Sequence, residues 1–298
     1  MFSRFKKGIK KHGVSIAFAT PFLLIFFVFT IIPVFLGLLL SFTDYNILQP
    51  PQFVGLRNYL SLFFKDSIFL VAIKNTLLYA LVLGPVSFAF ALLIAWMIND
   101  FSEKMRVIVT FVFYLPTLAG GMTAFWILIL SGDSYGYANA FFQKLGLIQK
   151  PIQWLTDPQY FFAIICLVFI WGSLGTGFLS LIAGFRGIPT ELYEAAAMDG
   201  MKNRVQELWY ITLPFLRPQL LFASILSITN SFGIGDLSAT LFGNPSPNYE
   251  AHTLALLISD YANQRMDMGM AVAGSMILFF LTVTFNKLAN LFLHRIGR

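Results

Sequence analysis

The chain carries little charge for its size. Only 11% of its 298 residues are Asp, Glu, Lys or Arg, against 57% hydrophobic residues and a mean hydropathy of +0.74. That balance excludes an ordinary soluble domain and places the chain among polytopic membrane proteins. The one cysteine, Cys166, lies inside an apolar run, so no intrachain disulfide is available. His12, His252 and His294 fall in separate segments without ligand-like spacing, which argues against a histidine metal cluster. The sequence has no Gly-rich phosphate loop ending in Gly-Lys-Ser/Thr, no His-Glu-x-x-His and no paired intramembrane carboxylates. An ATPase or an intramembrane enzyme built on this chain alone has nothing to work with. No internal repeat or low-complexity tract is seen.

Long apolar runs are abundant. A helix needs about 20 mostly apolar residues to cross a hydrocarbon core of roughly 30 Å. By that criterion six spans are expected, over residues 15–41, 69–98, 107–130, 160–185, 218–242 and 268–292. A β-barrel fails, because barrel strands alternate apolar and polar residues whereas these runs are apolar all round. The expected fold is all-α, with one six-helix membrane domain over 15–292 between a short basic segment, 1–14, and a tail, 293–298. Lys and Arg set the orientation: Arg4, Lys6, Lys7, Lys10 and Lys11 precede span 1, Lys104 and Arg106 follow span 2, and Arg186, Lys202, Arg204 and Arg217 follow span 4. Both termini are therefore expected in the cytoplasm, and the net charge of +6 is topological bias with no nucleic acid implied. Ala17-Phe18-Ala19 stands on the wrong side of the apolar run for signal cleavage, so the first run is expected to be a retained span.

Pro21, Pro33, Pro85 and Pro116 interrupt spans 1 to 3, and the Gly120-Gly121 pair follows Pro116 by one turn. Two readings are open: ordinary membrane-helix shape, or bends that shape a cavity opening on alternate sides. On the outer side, Leu60–Phe64 suits an interfacial helix, and Asn244-Pro245-Ser246-Pro247 a turn.

Residues 191–218 form a charged, helix-forming stretch between two apolar runs. Thr190 suits an N-cap, with Glu191 and Glu194 favourably placed on the helix dipole. Ala195, Ala196 and Ala197 form helix readily and add almost no bulk, giving a smooth face that sinks into a groove. Gly200 permits a turn, a second helix is expected over about 202–212, and Leu213-Pro214 breaks it. Docking to a partner and lying flat on lipid headgroups are both compatible with these residues alone.

Glu194-Ala195-Ala196, Gly200 and Ile211-Thr212-Leu213-Pro214 closely resemble the EAA motif of ABC importer permeases. The usual spacing has nine residues between the Gly and the Ile; here residues 201–210 make ten. Val54-Gly55-Leu56-Arg57-Asn58-Tyr59, Asn75-Thr76, Tyr114-Leu115-Pro116 and Trp171-Gly172 are similar to the carbohydrate-uptake branch, in particular to relatives of the larger maltose-type membrane subunit. The resemblance implies the type I importer permease fold, with a coupling loop over 186–217. It implies ATPase-coupling roles for Glu194, Ala195, Ala196, Asp199, Gly200, Leu213 and Pro214. It also implies that ATP and magnesium are used by a separate ATPase present in two copies, none of it bound by this chain. A second EAA-bearing permease, an extracytoplasmic sugar-binding protein and the lipid of a bacterial inner membrane complete the partners.

Spans 4 and 5 carry the polar groups. Ser224, Ser227, Thr229, Asn230, Ser231 and Asp236 interrupt span 5, and Trp171, Ser173, Thr176 and Ser180 interrupt span 4. Groups of this kind face the bundle or a wet cavity, or they pack helix on helix. Neutral hydrogen-bonding groups and an aromatic face suit a sugar, and placement against the maltose-type subunit puts Thr176 and the neighbourhood of Asn230 at its sugar site. The expected substrate-binding residues are Trp171, Thr176, Ser227, Asn230 and Ser231. Two alternatives stay open: an importer of polyamine, phosphate or amino acid, and an ion-coupled secondary carrier. The first lacks its buried carboxylate or arginine here, and the second its midmembrane ionisable residue.

Overall fold

A computed structural model describes residues 14, 17–119, 122–201 and 203–293. The basic N-terminal cluster, Gly120-Gly121, Lys202 and the tail from His294 lie outside the described residues. The helices are α1 (Ala17–Leu40), α2 (Arg57–Phe64), α3 (Ser67–Asn99), α4 (Glu103–Leu118), α5 (Met122–Ile129), α6 (Tyr137–Lys144), α7 (Phe161–Gly172), α8 (Thr176–Arg186), α9 (Thr190–Met198), α10 (Arg204–Phe215), α11 (Arg217–Phe232), α12 (Gly235–Phe242), α13 (Leu254–Asn263) and α14 (Met268–Leu293). A two-residue antiparallel ladder, β1 (Thr43–Asp44) with β2 (Gln52–Phe53), departs from the all-helical expectation.

Among the described residues α1, α3 and α14 are each long and apolar enough to cross a membrane, and bent helix pairs bring the total to as many as six. Span 4 is α7 and α8, bent by 46° at Ser173–Gly175. Span 5 is also interrupted: α11 ends at Phe232 and α12 resumes at Gly235. At its other end α10 meets α11 at an angle of 84°, where Pro218 follows the break.

Two π-helical turns, Phe27–Ile31 in α1 and Leu208–Thr212 in α10, share a feature. Each is followed, one residue on, by a proline: Pro33 and Pro214. A proline ring inside a helix removes a donor and crowds the carbonyl four residues back. Widening the preceding turn by one residue relieves that crowding without ending the helix. The second turn overlaps the end of the ten-residue spacer of the EAA-like stretch, at Leu208–Tyr210.

Contacts group the chain into two compact units. The first comprises residues up to Lys65 together with Asp260–Met276. Its centre is the Val54–Tyr59 stretch. Gly55, at φ +61°, turns the chain out of β2 into α2. Asn58, buried, then donates from Nδ2 to the carbonyls of Ser41 (2.9 Å) and Thr43 (2.8 Å). The Tyr59 hydroxyl reaches the Ser41 hydroxyl at 2.8 Å, and Arg57 pairs with Asp44 at 3.4 Å. The end of α1 is thus tied to α2 by buried, satisfied polar groups, the condition for placing them out of water.

The second unit, Asp66–Ser259 with Ile277–Arg298, packs α3, α8 and α11 against one another. Lipid is as apolar as leucine, so close van der Waals fit rather than hydrophobic burial holds such helices. Gly177 supplies that fit: a Cβ there would lie 3.2 Å from the Ala223 backbone. One cluster joins Leu174, Phe178 and Leu181 to Leu213, Leu216 and Leu220; a second joins Tyr79, Phe161, Ile165 and Phe242. Asn75 donates to the carbonyls of Tyr249 and His252, both at 3.0 Å, and Thr76 accepts from the Leu254 N–H at 2.8 Å, capping α13. That helix, like α6, was not anticipated in its loop, while α2 extends the helix expected at Leu60–Phe64 by starting at Arg57.

Candidate coupling and translocation sites

The coupling stretch begins one residue earlier than expected. Pro189, with φ −60° and ψ 134°, occupies the N-cap position of α9, and Thr190 is the first helical residue; no side chain caps this end. Proline is favourable there because its ring presets φ and the orphan N–H is already missing. The other end closes in a Schellman motif: the Met201 N–H reaches the Ala196 carbonyl at 3.0 Å and the Gly200 N–H the Ala197 carbonyl at 3.2 Å. Gly200 has φ +87°, and among the described residues nothing lies within 4 Å of where its Cβ would stand. Its missing side chain therefore serves the backbone angle alone.

Ala196 is buried against the rest of the chain, whereas Glu191, Glu194, Ala195, Ala197 and Asp199 are exposed and Met198 is 89% exposed. The exposed face of α9 is the one available to a partner. Leu213 and Pro214 are placed differently from the expectation that grouped them with it. Leu213 is buried among Ile188, Leu216 and Leu220, and Pro214 is half-buried, so both anchor the loop rather than face outward. The second helix starts at Arg204, capped by the Asn203 side chain, which accepts from the Gln206 N–H at 2.8 Å. One link joins α9 to α10 within the loop, and two tie the loop to the bundle. The Tyr193 and Thr212 hydroxyls meet at 2.9 Å, Arg204 pairs with Asp100 at the end of α3, and Arg186 pairs with Glu103 at 3.4 Å.

The break in span 4 opens a cleft of about 150 Å³ between α4, α8 and α11. Thr176, Ser227 and Asn230 line it together, as expected, with Ser173 beside them. Ser231 is not brought there. It is fully buried, its hydroxyl donates to the Ile228 carbonyl at 2.7 Å, and it sits where α11 crosses Gly84 of α3. Trp171 is also absent from the lining; its indole stacks on Phe125 and meets Trp126 edge-on, with centroids 5.8 and 5.5 Å away. Ser231 and Asn230 are neighbours on a helix and so point about 100° apart, which polarity alone does not reveal.

Two lining residues escaped the sequence reading, Tyr114 and Thr117 of α4. The Thr117 hydroxyl lies 3.3 Å from the Gly172 carbonyl and 3.1 Å from that of Leu174, so it satisfies the frayed end of α7. The signal was Pro116, read as a bend and as part of a family mark, not as the sign of a polar lining. A break in a membrane helix is tolerated where side chains or water supply the missing backbone partners, as they do in a polar cavity. A second cleft, of about 280 Å³, adjoins the first through Gly172, Ser173 and Asn230 and adds Thr123, Asp236 and Thr240.

Residues 89–298 match the family of binding-protein-dependent transport system inner membrane components. The chain belongs to that family. Both the coupling stretch and the two clefts lie wholly inside the matched segment, whereas the Val54–Tyr59 staple precedes it. The membrane component is similar to a probable ABC transporter permease protein, YesP, of Bacillus subtilis, with 35% identity over 76% of this chain and 72% of that one. It is similar too to the arabinooligosaccharides transport system permease protein AraP of the same organism, at 31% identity over 92% and 87% of the two chains. Among solved structures it matches a bacterial ABC transporter involved in the import of the acidic polysaccharide alginate, with a TM-score of 0.80 and 26% identity over 99% of this chain and 100% of that one. The same alginate transporter in complex with an alginate pentasaccharide-bound periplasmic protein gives a TM-score of 0.80, with 26% identity over 99% of each chain. The chain is thus a multi-pass membrane subunit of an ABC importer.

Proposed function

We propose that this subunit passes a sugar or oligosaccharide across a bacterial inner membrane, driven by an ATPase that docks on α9. The observation that carries the reading is the mid-span cleft, whose polar lining is neutral: Tyr114, Thr117, Ser173, Thr176, Ser227 and Asn230, without Lys, Arg, Asp or Glu. Hydroxyls and an amide match the hydroxyl-rich surface of a sugar and offer phosphate or a polyamine no opposite charge. The sugar named for the AraP relative and the saccharide-loaded periplasmic protein of the alginate complex support the same class of cargo and a binding protein that delivers it.

In this reading residues 15–292 work as one membrane domain with both termini in the cytoplasm and the 186–217 loop on that side. The partners are a second, related permease, two copies of the ATPase and the extracytoplasmic binding protein. ATP and magnesium are used by the ATPase, and this chain carries no catalytic residue, metal or cofactor. Closure of the ATPase pair pulls α9, and Tyr193–Thr212 and Arg204–Asp100 carry the pull to α10 and α3.

The test is uptake by cells that lack this gene and by cells in which it is restored, with labelled neutral oligosaccharides, polyamine, phosphate and amino acids. Restoration of oligosaccharide uptake alone is expected. Restored uptake of any other class, with oligosaccharide unchanged, would sink the reading.

A further inference from the structure

The second cleft, which the topology proposed above puts on the outer side of the first, differs from it in a single respect that bears on cargo. Asp236 lines it, and no Lys, Arg or His does. The inner cleft has no charged lining residue at all. Among the described residues, the combined passage therefore holds one formal charge, and it is negative. Asp236 is in the first turn of α12, exposed, with its backbone carbonyl accepting the Thr240 hydroxyl at 2.7 Å. A carboxylate in that turn is favoured by the helix dipole, so the position costs the fold little. The two clefts meet at Ser173 and Asn230. A solute moving from the outer cleft to Thr176 and Ser227 passes Asp236 first. Low-dielectric walls strengthen the field of such a charge inside a cleft relative to open water.

We propose that Asp236 is a specificity-determining residue that disfavours anionic cargo, so that the saccharide is neutral or amino-bearing. This rests on the sugar reading and separates the chain from its alginate-importing structural neighbour, whose cargo is acidic. The carboxylate repels carboxylated sugar units, accepts hydrogen bonds from neutral hydroxyls, and attracts an ammonium group.

The test reads the charge of the cleft without needing the cargo. Thr240→Cys, in a Cys166→Ala background and in the complete transporter complex, is labelled with a trimethylammonium-ethyl or a sulfonato-ethyl methanethiosulfonate. The ratio of cationic to anionic rates is compared with that of free cysteine. The ratio should exceed the free-thiol value by roughly tenfold at low salt, and Asp236→Asn should remove most of that excess while Asp236→Glu keeps it. A ratio insensitive to Asp236→Asn, or a Cys at 240 that neither reagent reaches, overturns the proposal. So does uptake of a uronate-bearing oligosaccharide in preference to its neutral counterpart. If the sugar reading itself fails, no oligosaccharide is taken up although the labelling ratio still follows Asp236, which tells the two failures apart.

Discussion

At Gly200, a φ of +87° and empty space around the missing Cβ separate two reasons for a glycine, and only the first applies. A β-carbon in the left-handed region costs about 1 kcal/mol, less for Asn, which tolerates that region better. Gly200→Ala should therefore weaken uptake more than Gly200→Asn, although Asn is the larger residue. The reverse order, in an uptake assay on equal amounts of membrane-inserted protein, would mean that size and not backbone angle governs the site. Asn75 makes a second case. Its amide spans 174 and 177 residues to reach Tyr249 and His252. Asn75→Ala strands two carbonyls and is expected to cost ~1–3 kcal/mol, read as a lower unfolding midpoint in detergent. An unchanged midpoint would show that water replaces the amide. Asn75-Thr76 and Val54–Tyr59 were legible as family marks, but their work was not, because each depends on partners far away in sequence.

The elements were legible to different degrees. Apolar length located α1, α3 and α14 and pointed to the bent pairs that bring the candidate spans to as many as six, because that signal is the same whichever way a helix faces. The α2 helix was visible from its interfacial pattern. Helices α6 and α13 were not, since short loop helices lack a long apolar run and are fixed by contacts such as the Thr76 cap. The stretch between Gly200 and Ile211 is one residue longer than the usual spacing. In the structure its end, Leu208–Tyr210, enters a π turn ahead of Pro214, like the turn ahead of Pro33 where no such spacer exists. A π turn takes up one more residue than an α turn, so the helix continues past a longer spacer. The links from the coupling loop to α3 could not be read from spacing at all. Arg204 and Asp100 are both partly exposed, so their pair should add no more than about 1 kcal/mol of stability. Its expected role is registration. Arg204→Asp and Asp100→Arg should each lower sugar uptake per ATP hydrolysed without moving the unfolding midpoint, and the double swap should restore it. Equal coupling in all three variants would remove the pair from the transmission path.

On the scale of the whole molecule, the two jobs of the chain are spatially divided. The exposed face of α9 carries Glu194 and Asp199, while Thr176, Ser227 and Asn230 line a cleft set among α4, α8 and α11. The Leu174–Phe178–Leu181 and Leu213–Leu216–Leu220 cluster belongs to the elements that connect them. Loop and cleft were both legible in the sequence by residue type, but the side on which a residue faces was not. That is why Ser231 and Trp171 were expected in a cleft they do not line, and why the buried Leu213 was grouped with the exposed face of α9. The division can be measured in one experiment: ATP-driven uptake and substrate-stimulated ATPase of the reconstituted transporter, compared for Glu194→Ala and Asn230→Ala. Glu194→Ala should lower both rates severalfold with the half-saturating sugar concentration unchanged, and Asn230→Ala should raise that concentration while basal ATPase stays at the wild-type level. Wild-type rates in Glu194→Ala, or a shifted sugar concentration there and none in Asn230→Ala, would contradict the assignment of force to α9 and specificity to the cleft.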